Sequence, residues 1–286
     1  MHYELKTDIL LSKPNLLKDI KALLSPSLRE KISKYRNLAL GEIAGRDSIA
    51  AIIKTAARDD IEAILPTLVY TGTEYGDWEA LHANVDFARE QIARKYRKAL
   101  FDLVILGNPV MWWALNGRFT SVLLEKFGFY SPCPGCHLYM HLIRVPLARE
   151  LSCTKIIGGE RESHGDKLKI NQIPMALDAY TELLNFAGIE LILPLRKIYS
   201  DEEIEALVGA GWRAGEKQLK CVFSSNYRFL DGSVKYDEDA MRKYFDEFAI
   251  SAGKKILQAW QTGKREVDYV ELIGSVLAGI RDKGEV

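Results

Sequence analysis

Two of the four cysteines stand in a Cys-x-x-Cys pair, Cys133-Pro134-Gly135-Cys136, which His137 follows directly. We expect the central Pro-Gly to form a turn that directs both sulfurs toward one centre. Cys221 lies far downstream in a polar segment, whereas Cys153 precedes an apolar run and is favoured as a core residue. Thiolates bind zinc and iron–sulfur clusters, and paired thiols also do redox chemistry. Three hypotheses stay open: an iron–sulfur cluster, a zinc ion with Cys153 or His137 as a further ligand, or a metal-free thiol pair.

A second candidate site is the segment Ile43-Ala44-Gly45-Arg46-Asp47-Ser48, which lies between an apolar run and a helical pattern. A glycine turn from a strand into a helix presents backbone N–H groups and the positive end of the helix dipole to an anion. Arg46 adds a cation, while Asp47 and Ser48 fit the N-cap position as well as a catalytic one. The segment is predicted to bind a phosphate-like anion, with simple helix capping as the alternative.

Short apolar runs and helical patterns alternate from residue 37 to about residue 200. We predict strands at 38–43, 67–70, 103–106, 155–157 and 190–193, with helices at 49–54, 78–98, 137–151 and 176–187 between them. This alternation is typical of βαβ units and predicts an α/β fold with a doubly wound, mainly parallel sheet. Ligands of such sheets bind beyond the carboxyl ends of the strands, so the loops at 44–48, 71–77, 107–118 and 158–166 form the candidate site.

Both ends of the chain show helical spacing. We predict a helical hairpin within residues 1–36, broken at Ser25-Pro26, and a mainly helical appendage over residues 201–286, with helices at 201–208, 237–261 and 267–280. The nucleotide-binding α/β domain is then expected at 37–200. Trp212 and the helical tail are candidate surfaces for a homodimer.

Three further groups of residues have two interpretations each. Lys167 and Lys169 either hold an acidic substrate or form a solvated turn. The tryptophans at 112 and 113, near Arg118, either stack on a base or pack against the tail. His137 and His141, four residues apart on one helical face, serve substrate contact or packing rather than zinc binding.

Composition excludes several classes of protein. The chain has 286 residues, of which 48% are hydrophobic and 27% charged, which indicates a soluble globular protein rather than a disordered one. Its 39 Lys and Arg balance 39 Asp and Glu, so no global positive field attracts nucleic acid or a membrane. No apolar run approaches the roughly 20 residues of a membrane span, and no signal peptide opens the sequence, so a cytoplasmic location is expected.

Three strand ends resemble one superfamily, in the same order along residues 37–200. The segment 43–48 resembles the Ser-Gly-Gly-x-Asp-Ser pyrophosphate loop (PP-loop) of the adenine nucleotide α-hydrolase superfamily at Gly45, Asp47 and Ser48, while Ile43 and Ala44 depart from it. Thr71-Gly72-Thr73-Glu74 is similar to the Thr-Gly-x-Glu stretch of phosphoadenylylsulfate reductases. Gly158-Gly159-Glu160-Arg161 is similar to the stretch that lies near the nucleotide in that group.

This resemblance implies a fold of the HUP/Rossmann type and an ATP pyrophosphatase-type enzyme that adenylates a carbonyl oxygen. Asp47 would orient the loop or a metal. On chemical grounds, Glu74 and Glu160 are candidates to hold a divalent cation such as Mg²⁺, and Arg161 to pair with a phosphate, with solvated loop residues as the alternative. The residues that the resemblance assigns to ATP are Ala44, Gly45, Arg46, Asp47, Ser48, Thr71, Gly72, Glu74, Gly159, Glu160 and Arg161.

Two close cysteines and a distant one are similar to the iron–sulfur 2-thiouridine synthases of the same superfamily. There, three cysteines hold a [4Fe–4S] cluster with one open iron, which implies that catalytic role for Cys133, Cys136 and Cys221. The expected function is sulfur transfer, with a sulfur donor and a tRNA or small nucleobase-like acceptor. The alternatives are a phosphoadenylylsulfate reductase-like or phosphorothioation enzyme, and a nucleotide-binding module that binds structural Zn²⁺ and does not hydrolyse ATP.

Overall fold

The computed structural model describes residues 23–162, 167–209, 218–234, 236–262 and 266–280. Strands and helices alternate through most of this length, and a group of helices follows. The elements in chain order are α1 (Pro26–Ile32), β1 (Leu38–Glu42), α2 (Arg46–Thr55), β2 (Ala63–Tyr70), β3 (Glu74–Tyr75), α3 (Glu79–Tyr96), β4 (Ala99–Leu100), β5 (Val104–Gly107), α4 (Pro109–Asn116), α5 (Thr120–Phe127), α6 (Pro132–Leu142), α7 (Val145–Glu150), β6 (Lys155–Ile157), α8 (Pro174–Phe186), β7 (Glu190–Ile192), α9 (Asp201–Val208), β8 (Lys220–Cys221), α10 (Glu238–Lys243), a π-helical segment (Tyr244–Ala249), α11 (Ile250–Gln261) and α12 (Tyr269–Ala278).

The central sheet is parallel, with the order β4-β2-β1-β6-β7 and with β5 beside the second half of β2. Leu40 of β1 pairs with Leu65 of β2 on one side and with Ile156 of β6 on the other. The chain therefore moves outward in one direction from β1 and returns to its other side at β6. A reversal of this kind opens a crevice beyond the carboxyl ends of β1 and β6.

Helices cover both faces of the sheet, because neighbouring residues in a strand point to opposite faces. Leu40 and Leu65 belong to a large core under the helices α4 to α8 and α10 to α12. Ala39 and Ile64, their neighbours along the strands, belong to a smaller core with α2, α3 and α9. The predicted α/β class with a mainly parallel sheet is thus confirmed at this level, and strands appear at all five predicted places.

The prediction of a loop at 107–118 is wrong in part, because most of this segment forms the helix α4. The side chain of Asn108 accepts a hydrogen bond from Met111 N at 3.0 Å, and Pro109 occupies the first turn. A capping Asn followed by Pro is a helix start, so Trp112 and Trp113 lie on a helix.

The helices at the C-terminal end pack onto the sheet domain. Phe245 of the π-helical segment and Ile256 of α11 lie in the same core as Tyr180 of α8. The predicted domain boundaries stay predictions. At the other end, α1 begins after Ser25 as predicted, with the Ser25 hydroxyl accepting from Leu28 N at 3.1 Å, whereas the first half of the hairpin and Trp212 lie outside the described residues. Within the described ranges, no helix combines the length and apolarity that crossing a membrane requires.

Replacing Gly253 by Ala tests the packing of α11 against α8. A Cβ at Gly253 would lie 2.7 Å from a methyl of Leu183. We expect Gly253→Ala to lower the free energy of unfolding by about 1–3 kcal/mol, as overpacked cores do. Urea unfolding followed by circular dichroism measures the change.

Gly274→Ala on α12 is the matched control, because its Cβ would meet only ordinary contact, with Phe119 at 3.4 Å. It should gain up to about 1 kcal/mol of helix propensity. Equal effects of the two substitutions would contradict the close contact between α11 and α8.

Candidate functional site

The loop between β1 and α2 is closed by one hydroxyl group. Ser48 Oγ accepts hydrogen bonds from Ala44 N at 2.8 Å and Gly45 N at 3.1 Å, and donates to Gly45 O at 2.9 Å. The N-cap position falls on Gly45, so neither Asp47 nor Ser48 occupies it. Ser48 instead organises the turn, and α2 begins at Arg46 with its first N–H groups directed to the crevice.

Two loops meet above the crevice because Gly159 carries no side chain. A Cβ at Gly159 would lie 2.7 Å from both Ser48 N and Ser48 Cα. On the other side of the loop, Gln218 fills the space that a side chain at Gly45 would need, with its Oε1 2.3 Å from the position of that Cβ. The carboxyl ends of β1 and β6, together with the segment before β8, therefore surround one cavity.

This cavity has a volume of about 570 Å³, within the range of small-molecule sites. Its lining joins most of the predicted anion site with residues from five other segments. The lining residues are Glu42, Ala44, Gly45, Arg46, Asp47, Ser48, His137, Gly159, Glu160, Arg161, Lys167, Lys169, Gln172, Asp201 and Gln218. Lys167 and Lys169 thus face the cavity, as an acidic ligand would require.

Two arginines and two aspartates form a closed ring of charges in the cavity. Asp47 Oδ1 accepts from Arg46 Nε at 3.0 Å, and Asp47 Oδ2 accepts from Arg161 Nε at 3.2 Å. Asp201 Oδ1 accepts from Arg46 Nη2 at 3.0 Å and also from Arg161 Nη2. The hydrogen bond from Arg161, with that from Arg46, lowers the pKa of Asp201 despite the opposing effect of burial. The ring balances two positive charges with two negative ones.

Lys169 lies next to this ring. Burial lowers the pKa of its ammonium group, and the two arginines act in the same direction, while Asp47 and Asp201 oppose them. A ligand that brings additional negative charge would relieve this repulsion among the cations.

Glu160 is buried against two histidines of α6. Its Oε1 lies 3.2 Å from His137 Nδ1 and 2.8 Å from His141 Nε2. Burial raises the pKa of this carboxyl, but the two histidines outweigh burial and hold it well below its ordinary value. His137 Nε2 in turn lies 2.7 Å from Asn171 Nδ2. The two histidines therefore contact a carboxylate of the cavity wall.

The turn at 71–74 forms a separate group beside the cavity. The Glu74 carboxylate accepts from the N–H groups of Thr71, Gly72 and Thr73 at 3.0 to 3.2 Å, and from the Thr71 hydroxyl at 2.6 Å. Glu160 lines the cavity, whereas Glu74 is occupied by its own turn and faces the cysteines. The joint binding of a divalent cation by Glu74 and Glu160 stays a prediction.

The prediction of a Pro-Gly turn in the cysteine pair is wrong, because Cys133 and Cys136 lie in the first turns of the helix α6. Ser131 caps this helix, with its hydroxyl accepting from Cys133 N at 3.2 Å, and Pro132 occupies the first position. Residues three apart in a helix share one face, so helical geometry brings the two sulfurs together instead of a turn.

Cys221 reaches this face from β8. Glu74 pairs with Cys221 in the antiparallel β3–β8 ladder, and the Thr73 hydroxyl lies 3.2 Å from Cys221 Sγ. The chain then turns so that Asn226 Nδ2 donates to Cys133 Sγ at 3.3 Å. We call Cys133, Cys136 and Cys221 the cysteine cluster.

The three thiols are near enough to influence one another's ionisation. Burial is the main cause of the raised pKa values of Cys133 and Cys136, and the charge of Cys221 adds to both. Hydrogen bonds oppose these shifts, from Ser131 and Asn226 at Cys133 and from Trp112 at Cys136. The sequence prediction that these cysteines belong together agrees with this arrangement.

Cys153 lies apart from the cluster and is buried, with its Sγ donating to Leu38 O at 3.0 Å. It is the core residue that the sequence favoured. In the part of the chain that the structure describes, no three His, Cys, Asp or Glu side chains are close enough together to ligate a single metal ion.

Trp112 borders the cysteine cluster. Its indole N–H donates to Cys136 Sγ at 3.3 Å, and its ring lies nearly parallel to that of Phe223, with the centroids 6.3 Å apart. Trp113 is partly exposed, and Arg118 lies 6.0 Å above its ring. The two tryptophans thus have different surroundings, which their adjacent positions did not reveal.

The cavity and the cysteine cluster are neighbours along two segments. Cys136 belongs to the cluster and the next residue, His137, lines the cavity. Gln218 lines the cavity and Cys221 follows three residues later. Sequence analysis missed Glu42, Asp201, Gln172 and Gln218 as cavity residues. For Asp201 a signal existed, since its helix was predicted to begin at that residue beside the α/β domain.

The chain is 38% identical over 251 residues to the "Uncharacterized protein MJ0009" of Methanocaldococcus jannaschii, and the match spans 87% of this chain and 90% of that protein. This protein belongs to the same family. No protein-family model matches the chain. This likeness establishes kinship and assigns no activity to the chain.

Within this family member, Glu160→Gln tests the buried carboxylate. The lowered pKa of Glu160 means that its ionised form contributes stability above the ordinary carboxyl pKa, and that this contribution is lost as the pH falls through the folded-state pKa. We expect Glu160→Gln to lower the free energy of unfolding by about 1–3 kcal/mol at pH 7, and by less below about pH 4. Unfolding by urea at several pH values measures both effects.

Glu182→Gln is the control, since Glu182 forms an exposed ion pair with Lys254. It should change stability by less than about 0.5 kcal/mol at every pH. A loss in Glu160→Gln that is small or independent of pH would contradict a buried ionised carboxylate.

Proposed function

We propose that this protein is an ATP-dependent adenylating enzyme of the PP-loop group that transfers sulfur to a carbonyl carbon. The cavity binds ATP, and the cysteine cluster holds a [4Fe–4S] cluster. The observation that carries the proposal is the adjacency of two centres: an anion cavity at the start of α2, and three cysteines brought together from α6 and β8 beside it.

The phosphates of ATP would lie at the N-terminus of α2. Arg46, Arg161 and Lys169 surround this position, and the helix dipole favours an anion there. Asp47 holds both arginines by their Nε atoms and so keeps them directed into the cavity. Mg²⁺ accompanying ATP would offset the remaining phosphate charge.

The proposed reaction has two balanced steps. The carbonyl oxygen of the acceptor attacks the α-phosphorus of ATP, an O–P bond forms, and pyrophosphate leaves with the electron pair of the broken bond. Hydrosulfide then attacks the activated carbon, the C–O bond breaks, and AMP leaves while the remaining proton goes to solvent or base. No oxidant or reductant is consumed.

The cysteine cluster suits an iron–sulfur ligand set. It offers three thiols, and two of the sulfurs accept N–H hydrogen bonds, from Asn226 to Cys133 and from Trp112 to Cys136. Such hydrogen bonds tune clusters ligated by thiolates. Cys133, Cys136 and Cys221 would hold such a cluster, which would supply the hydrosulfide. The thiolates of a [4Fe–4S] cluster ligate different irons, which is a different arrangement from the single-ion site that the described residues do not form.

The acceptor is proposed to be a tRNA or a small nucleobase-like molecule. Trp112 and the exposed Phe223 offer aromatic faces beside the cysteine cluster, and stacking on aromatic rings is a common way to bind bases. Since the chain has no net charge, tRNA binding would require local positive charge and would weaken steeply with salt.

A nucleotide-binding module that does not cleave ATP is the second candidate. One observation favours it: Ser48 Oγ already accepts the N–H groups of Ala44 and Gly45, which an active pyrophosphate loop would offer to phosphate. Tight ATP binding without pyrophosphate release in the presence of any acceptor would select this candidate.

Metal analysis tests the cysteine cluster. Protein purified without oxygen is expected to contain about four iron and four acid-labile sulfide per chain, and Cys133→Ser, Cys136→Ser or Cys221→Ser should remove most of both. Iron and sulfide assays together with the absorption spectrum measure this.

Cys153→Ser is the matched control, because Cys153 is buried away from the cluster and should leave the iron content unchanged. Stoichiometric zinc without sulfide, or iron that persists in all three cluster variants, would overturn the iron–sulfur assignment.

Pyrophosphate release tests the ATP site. Asp47→Asn and Ser48→Ala should each reduce ATP-dependent pyrophosphate release at least about tenfold, because the first frees both arginines and the second opens the loop. Asp86→Asn is the control, because it removes the same charge from an exposed position. Release that survives both loop substitutions would count against adenylation in this cavity.

A further inference from the structure

The two aspartates that bind Arg46 and Arg161 differ in how firmly they are held. Asp47 belongs to the first turn of α2, and its side chain is 22% exposed. Asp201 is the first residue of α9, and its side chain is 55% exposed although it bonds to both arginines. The Asp201 carboxylate is therefore better placed than that of Asp47 to turn toward water.

Arg161 depends on a negative partner because its side chain is only 1% exposed. A buried charge without a counter-charge is costly. Its Nη1 atom is buried and has no hydrogen-bond partner among the residues that the structure describes. A ligand with more acceptor oxygens than one carboxylate would therefore satisfy Arg161 better than Asp201 does.

We propose that the Asp201 carboxylate occupies the position of a ligand phosphate group, and that the pyrophosphate portion of a nucleotide displaces it from Arg46 and Arg161. The nucleotide itself rests on the proposed function, whereas the displacement concerns any pyrophosphate-like anion. Both arginines now converge on the single atom Asp201 Oδ1. A phosphate group presents three oxygens to the same donors and binds arginine in bidentate fashion.

Displacement leaves α9 intact. Ser200, not Asp201, caps this helix, with its Oγ accepting from Glu203 N at 3.0 Å. Ile204 and Val208 remain buried in the core that α9 shares with α2. A rotation of one side chain is thus enough to exchange the carboxylate for a phosphate.

The carboxylate has two consequences for the cavity. Without ligand it keeps Arg161 paired, so the protein avoids an uncompensated buried charge. It also raises the affinity that an incoming anion needs, because the anion must displace a carboxylate already bonded to both arginines. Polyphosphates meet that requirement more readily than singly charged anions do.

Calorimetric titration with inorganic pyrophosphate tests the displacement, with and without Mg²⁺. Asp201→Asn and Asp201→Ala should each bind pyrophosphate about tenfold more tightly than the unaltered chain, because the competing charge is gone. Glu202→Gln is the matched control: it removes the same charge from an exposed position in the same turn and should shift the Kd less than about twofold. Circular dichroism verifies the fold of each variant.

Weaker binding in both Asp201 variants would overturn the proposal and would make Asp201 a residue that positions the arginines. Weaker binding only with Mg²⁺ would overturn it in favour of a metal-binding role. If the unaltered chain binds ATP and the Asp201 variants do not bind more tightly, the displacement fails while the proposed function stands. If no variant binds ATP or pyrophosphate, both fail.

Discussion

The charge of Arg161 is the constraint on which the site depends. Its guanidinium is buried where the ends of β1 and β6 meet, so it must be surrounded by acceptors. Asp47 supplies one from α2, Asp201 supplies another from α9, and Gln172 accepts from its backbone N–H. Two segments far apart in sequence are thus fixed around one cation, and Gln172 fixes the backbone of the residue that carries it. Gly159 permits this meeting, since any side chain there would displace the first turn of α2.

The position of β6 beside β1 extends the same constraint to the cysteines. Glu160, one residue before Arg161, draws His137 and His141 of α6 against the cavity wall. Because Cys136 precedes His137 directly, the contact that closes the cavity also sets the cysteine-bearing face of α6. A substitution of Glu160 should therefore affect both the cavity and the cysteine cluster, whereas a substitution in β8 should affect the cysteine cluster first.

Much of this arrangement follows from local sequence, and the remainder depends on contacts that local patterns do not contain. The strand at 155–157 and the helix at 201–208 have the predicted bounds, because apolar runs and capping residues specify them. The helix α4 was missed although Asn108-Pro109 is a good start signal, because the whole segment after the predicted strand was treated as a strand-end loop. The β3–β8 ladder has two residues in each strand, and no pattern of that length can reveal it. Asp201 reaches Arg46 and Arg161 only because α9 folds onto α2, a contact that no local pattern contains.

Two features of the structure explain what this loop does at the positions where it differs from the pyrophosphate-loop pattern. Ile43 stands where that pattern has serine, and it is fully buried in the smaller core, so it contributes packing and no phosphate donor. Ser48 then takes the N–H groups of Ala44 and Gly45 for itself. Because these donors are used within the loop, the proposed anion would be bound chiefly by side chains, those of Arg46 and the buried Arg161. Guanidinium groups bind phosphate strongly, but they need counter-charges when no ligand is present. The two aspartates of the ring supply these counter-charges to Arg46 and Arg161.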